Sequence, residues 1–107
     1  MPHKFYSHDC FDVDPESFVF EEVNIYFYDG GHARQDQANA FLYYNNILDD
    51  VFIAIVDDWN WDDVRNGTFD AFKELGYQIL YEVSLPSDGN GDISKWWNGL
   101  YVAVIRK

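Results

Sequence analysis

The run Val51-Phe-Ile-Ala-Ile-Val-Asp-Asp-Trp-Asn-Trp61 restricts the fold more than any other stretch of this chain. Six apolar, mostly β-branched residues stand between charged pairs at Asp49-Asp50 and Asp57-Asp58. Such a run is too short for a typical helix and fits a strand buried on both faces, as in the middle of a parallel sheet. In open α/β sheets ligands bind just beyond the carboxyl ends of the strands. Asp57 and Asp58 stand at that end, so any chemistry is expected to start there.

A second run, Val23-Asn-Ile-Tyr-Phe-Tyr28, ends on Asp29-Gly-Gly-His32. If the two strands are parallel neighbours, Asp29, His32, Asp57 and Asp58 meet at one edge of the sheet. Three carboxylates beside an imidazole suit a hard cation with a base next to it. The alternative reading of the same residues is structural: Asp29 and Asp57 end strands and cap the helices that follow, Asp being a favoured N-cap.

Along the chain, Lys4 to Val13 reads as a short strand that turns off near Asp9-Cys10, and Asp14-Pro-Glu-Ser-Phe18 as a turn. After Gly30-Gly31 the pattern predicts a helix from Gln35 to Leu48, with Ala38, Phe41, Leu42 and Leu48 on one side. Asn45-Asn46 and Asp49-Asp50 lead out of it into the Val51 strand. A second helix, capped by Asp62 or Asp63, runs to about Leu75, with Val64, Thr68, Ala71, Phe72 and Leu75 inward and Gly76 as its stop. Tyr77 to Leu85 is the next strand, 86–94 a loop, and Leu100 to Ile105 the closing strand. The helix-linked strands should be parallel with right-handed connections, and the final pair antiparallel. The expected fold is thus a single α/β domain over 1–107: a mixed sheet of four or five strands with helices packed on it.

Composition narrows the partners. With 19 acidic and 7 basic residues the formal charge is −12, which repels nucleic acid phosphates and anionic lipid. Neither nucleic acid nor a membrane is therefore an expected partner. The single Cys10 excludes an internal disulfide and a cysteine-based zinc site and fits a reducing cytoplasm. No apolar run reaches the roughly 18 residues that a membrane span needs. Asp88-Gly-Asn-Gly-Asp92 begins like an EF-hand loop, yet Ile93 stands where that loop needs its glycine and Gly99 where it needs its bidentate Glu. No dinucleotide or phosphate loop motif is present.

Three features in order, Tyr28-Asp-Gly-Gly-His32, Phe52-Ile-Ala-Ile-Val-Asp-Asp-Trp59 and a terminal antiparallel strand pair, resemble class I S-adenosylmethionine-dependent methyltransferases. The likeness is to the small-molecule O-methyltransferase branch with D-G-x-H and D-D-W motifs, including the macrocin-type sugar methyltransferases. It covers about Lys4 to Lys107 and corresponds to the second half of that Rossmann-like sheet. The resemblance implies that Asp29, Asp57 and Asp58 hold a magnesium ion that binds substrate hydroxyls, and that His32 is the general base. It also implies that Asp9 touches the adenine of S-adenosylmethionine. Some relatives carry an acidic residue where Gly31 stands.

The family's glycine-rich loop after its first strand, and the acidic residue that holds the ribose, have no counterpart here. The resemblance therefore implies a truncated methyltransferase half, incomplete and inactive alone. The alternatives are one half of a two-chain or homodimeric methyltransferase, and a non-enzymatic interaction module. Without the first strands, Val23 to Tyr28 becomes an apolar edge. Either the N-terminal segment folds over it, or the chain forms a homodimer through the exposed edge strand 23–28, or a partner chain supplies the missing half. Trp59, Trp61, Trp96 and Trp97 flank the site as an aromatic wall for a substrate or as packing. Cys10 reads as a core or surface thiol, and Arg65 and Lys73 as partners for nearby carboxylates on a solvated helix face.

Overall fold

β-branched and aromatic residues suit a pleated surface, and they form β1 (Val23–Tyr28) where the pattern predicts it. The structure is a computed structural model and describes residues 9–15, 22–85 and 98–107. After Gly30–Gly31 the chain enters α1 (Arg34–Tyr44). This helix is shorter than the sequence pattern suggests. It gives way to a 3-10 turn at Asn45–Ile47, and Leu48 already opens β2 (Leu48–Asp57). Asparagine is a weak helix former, and Leu48 is buried and pairs with Val23 of β1. Asp49 and Asp50 therefore lie inside the strand. Lys107 secures this corner: its Nζ donates to the carbonyls of Asn45 and Leu48 at 2.9 and 2.7 Å, and its backbone N–H to Asp50 at 2.8 Å.

α2 (Asp62–Leu75) follows, then β3 (Gln78–Leu85) and β4 (Leu100–Arg106). α2 stops where expected, Gly76 taking the left-handed conformation (φ 70°) that glycine adopts without steric cost. Its N-cap is Trp61, not an aspartate. Asp62 and Asp63 are instead first-turn residues, where their charge favours the helix dipole.

The four strands form one mixed sheet in the order β1-β2-β4-β3. β1 and β2 are parallel, while β4 is antiparallel to both β2 and β3. The strand orientations are those the connections predict. The connections alone leave the lateral order open, and β4 takes the place between β2 and β3. A helix links two parallel strands equally well with one strand between them.

Both helices cover one face of the sheet. Phe52, Ala54, Val56, Tyr101, Ala103 and Ile105 point into a core shared with Phe41 of α1 and Val64, Ala71 and Phe72 of α2. Trp59 stacks on Tyr101 with ring centroids 4.0 Å apart and planes 13° from parallel. The helices meet closely at Gly67, where a Cβ would run into the Arg34 carbonyl oxygen and stand 2.7 Å from Gln37 Cβ. Arg34 also makes a two-pronged pair with Asp70 across the same seam, at 2.6 and 2.9 Å. The other face corrects the sequence reading. β2 is buried on one side only, and Val51, Ile53 and Ile55 on the other keep access to solvent.

β1 is an edge strand, and Ile25 and Phe27 on it are exposed. Residues 9–12 form a turn, closed by the Asp12 N–H on the Asp9 carbonyl at 2.9 Å. The Tyr44 and Tyr43 hydroxyls donate to the carbonyls of Cys10 and Val13, tying this segment to α1. The rest of the expected N-terminal strand, the 86–94 loop, Trp96 and Trp97 lie outside the described residues. Among the described residues no helix is long and apolar enough to cross a membrane.

Candidate functional site

Parallel pairing of β1 and β2 brings their carboxyl ends side by side, with Tyr28 level with Val56. The chain then continues from each strand into a carboxylate. Asp29 follows β1, Asp57 ends β2, and Asp58 comes next with φ 59°. That left-handed conformation is unusual for a side-chain-bearing residue, and Asp and Asn tolerate it best. It turns Asp58 out of the strand's alternation. One carboxylate oxygen from each of Asp29, Asp57 and Asp58 lies within 4.8 Å of the others.

His32 completes the group. Its Nε2 is 2.8 Å from Asp58 Oδ2. A carboxylate offers only acceptors, so Nε2 carries the proton and donates, and Nδ1 is left as the basic nitrogen. Trp61 stands edge-on to the imidazole, 4.4 Å between ring centroids. Asn98, on the approach to β4, donates to Asp58 Oδ1 at 3.3 Å. The loop that carries His32 is fixed from below: the Gly31 carbonyl accepts Gln37 Nε2 at 2.8 Å and the Tyr28 hydroxyl at 3.4 Å. Burial pushes the Tyr28 phenol up to about 12, so it remains a donor at neutral pH.

The structure thus brings together four of the five residues that the sequence singles out, Asp29, His32, Asp57 and Asp58. It does not give the aspartates the alternative role of helix caps. Ala33 and Trp61 occupy the N-cap positions, with no side-chain cap bond at either. Asp9 lies apart from the carboxylate cluster. Its Oδ1 accepts the Phe11 N–H at 2.9 Å, and with Tyr28, Gly30, Gly31 and Asp36 it lines a shallow depression of about 310 Å3. Cys10 on the same wall has its thiol pKa raised, first by burial and then by Asp9, which disfavours the nucleophilic thiolate. Of the tryptophans, Trp59 is core, while Trp61 is exposed on the site.

Crowding has an electrostatic signature. The Asp29 carboxyl is raised above its ordinary value by burial first, then by its hydrogen bond to Asp57 and the charges of Asp57 and Asp58; His32 acts in the opposite sense. A hard divalent cation prefers oxygen donors and would relieve this repulsion, so the three carboxylates fit Mg2+ or Mn2+. The sign of the stability effect follows. Between Asp29's native pKa and the ordinary 3.8, the native state holds the extra proton, so stability rises as pH falls through that window. At neutral pH the ionised group is a standing cost. Asp29→Asn should therefore raise the melting temperature at pH 7 in a chelating buffer, and the gain should vanish near pH 4. Melts at both pH values check this, and an unchanged melting temperature at pH 7 would remove the repulsion argument.

Asn98 and Gln37 are the site's neighbours that sequence reasoning does not assign to it, whereas Trp61 is one of the tryptophans it sets beside the site. Gln37 carried a signal, a polar residue in the middle of an inward helix face. Asn98 carried none, since only the placement of β4 beside β2 brings it near Asp58. No protein-family model matches the chain, and no curated protein is significantly similar to it.

Proposed function

We propose that this chain is a methyltransferase-like α/β domain that keeps the acidic corner of a small-molecule O-methyltransferase and does not transfer methyl groups by itself. The observation that carries the reading is the convergence of Asp29, Asp57 and Asp58 within 4.8 Å, with His32 hydrogen-bonded to Asp58, at the carboxyl edge of two parallel strands. The antiparallel β3–β4 pair at the sheet margin supports it, being the arrangement the resemblance implies.

In this reading Asp29, Asp57 and Asp58 hold a magnesium ion, which when bound lowers the pKa of a substrate hydroxyl. The remaining roles belong to the chain's own groups. Asp58 orients the His32 ring by accepting a hydrogen bond from its Nε2–H, and Nδ1 is the nitrogen that takes the proton of the acceptor hydroxyl. Trp61 limits rotation of the imidazole and offers a flat apolar surface to a substrate ring.

S-Adenosylmethionine does not fit this chain alone. The depression at Asp9 has Asp9 and Asp36 in its lining but little enclosure, and binding sites for molecules of this size normally bury most of the ligand. Among the described residues no glycine-rich loop stands ready for the cofactor's amino-acid end. A second reading, one half of a two-chain or homodimeric methyltransferase, is favoured by the exposed apolar strands Val23–Tyr28 and Gln78–Leu85 at the two margins of the sheet.

Calorimetric titration with S-adenosylhomocysteine, with and without Mg2+, tests the proposal. No binding is expected up to about 1 mM ligand. Micromolar binding, about 8 kcal/mol, would overturn the inactive-alone reading and put the complete enzyme in its place.

A further inference from the structure

Polar groups inside a packed core lower stability unless they are hydrogen-bonded. Gln37 meets that condition with only half of its amide. It stands on the inward face of α1, 2% exposed, among Ala38, Ala40 and Phe41. Its Nε2 donates to the Gly31 carbonyl at 2.8 Å, but among the described residues nothing donates to its buried Oε1. A methionine has similar reach, fills irregular gaps and brings no such acceptor inside, so packing alone gives no reason for a glutamine here. A residue that breaks a local rule without a gain to the fold marks a functional or strained place.

The bond that Gln37 does make accounts for the choice. Segment 29–32 carries Asp29 and His32 with two glycines between them, and glycine leaves a backbone many paths. Burial does not hold His32, whose side chain is 44% exposed. Two side chains hold the middle of the segment, both through the Gly31 carbonyl: Gln37 at 2.8 Å and the Tyr28 hydroxyl at a longer 3.4 Å. Gln37 is the more rigid anchor. Its Cβ lies in the seam where Gly67 lets α2 close on α1, so its stem is clamped between the helices.

Asp58 is placed separately, by its own backbone at φ 59° and by the turn in which its carbonyl accepts the Trp61 N–H at 3.1 Å. The 2.8 Å contact of His32 Nε2 with Asp58 therefore depends on where the Gly31 carbonyl is held. We infer that Gln37 is a positioning residue, which sets His32 against Asp58 and Trp61 and lowers the stability of the fold in doing so. This role rests on the reading of His32 as the base, because a ring fixed through Nε2 is what leaves Nδ1 turned to a substrate.

Proton NMR of the intact, cation-free chain, at one pH throughout and with melting curves alongside, tests it. Trp61 stands edge-on to His32 with 4.4 Å between ring centroids, so its ring current displaces the His32 ring protons. In Gln37→Met these protons should move towards the shifts of a free histidine and their cross-relaxation with Trp61 should weaken. The melting temperature should stay at or above that of the parent. Thr68→Val, an equally buried polar change on α2 whose hydroxyl bonds to Val64 of its own helix, should leave the His32 protons in place. Unmoved His32 protons in Gln37→Met overturn the inference. So does a melting temperature well below the parent's, because Gln37 then serves the fold. An equal displacement in Thr68→Val overturns it as well, since it reports general loosening. Mg2+ titration of the parent tests the cation reading separately, so either can fail without the other.

Discussion

Asp58→Asn should lower the affinity for Mg2+ or Mn2+ at least about tenfold, 1.4 kcal/mol or more, while leaving the fold intact. The choice of asparagine matters. Asp58 has φ 59°, and an alanine there would add about 1–2 kcal/mol of backbone strain, confusing loss of binding with loss of structure. Asparagine tolerates that conformation and keeps the side chain's shape. Its single oxygen can go on accepting from His32, while its amide nitrogen replaces the oxygen that faced Asn98, so the charge and the weaker, 3.3 Å hydrogen bond are removed together. Calorimetric titration of both proteins, with melting curves alongside, makes the measurement. Equal isotherms would remove the cation reading, and with it the role proposed for Asp29 and Asp57. A large fall in melting temperature would show that Asp58 serves the fold instead, as a rigid acceptor between His32 and Asn98.

The second large effect is expected at Gly67, where a helix-propensity argument gives the wrong sign. Gly67 lies inside α2, and alanine there gains about 1 kcal/mol in intrinsic helix preference. The Arg34 carbonyl and Gln37 Cβ occupy the space that the methyl group needs. A backbone carbonyl cannot rotate away, so α1 must shift, and overpacking of this kind costs about 3 kcal/mol. Gly67→Ala is expected to lose about 2 kcal/mol net, a fall of roughly 10 °C in melting temperature for a chain of this size. Thermal and urea unfolding measure it. A variant as stable as the parent would mean that the two helices are not held at this distance.

The two effects also mark what could and could not be read from the sequence. β1 was legible residue for residue, because aromatic and β-branched side chains end abruptly at Asp29 and Gly30. α2 was legible because its apolar residues recur at helical spacing and stop at Gly76. The end of α1 was not. Leu48 fits the helical face as well as it fits a strand, and only its pairing with Val23 decides between them. The one-sided burial of β2 was hidden for a related reason: a continuous apolar run looks the same whether its second face is covered or bare. Of the site, the four clustered residues were visible as two strand endings. The direction in which Asp58 points was not, because a single left-handed residue leaves no pattern in the neighbouring sequence. The helix-capping alternative likewise needed geometry to dismiss, since Asp before a helix is compatible with either role.

The position of β4 also bears on the order in which the molecule becomes whole. The last strand along the chain occupies an interior place in the sheet, between β2 and β3. On a ribosome, everything through β3 emerges before the strand that joins β3 to the rest. Until Leu100–Arg106 is available, β2 has a hydrogen-bonding edge without its partner, and Tyr101, Ala103 and Ile105 are missing from the core. Closure must also link Asp50 to Lys107, residues far apart in sequence, and contacts of long sequence separation form slowly. During synthesis the growing chain thus exposes apolar strands for longer than its small size suggests, the state in which nascent proteins depend most on chaperones.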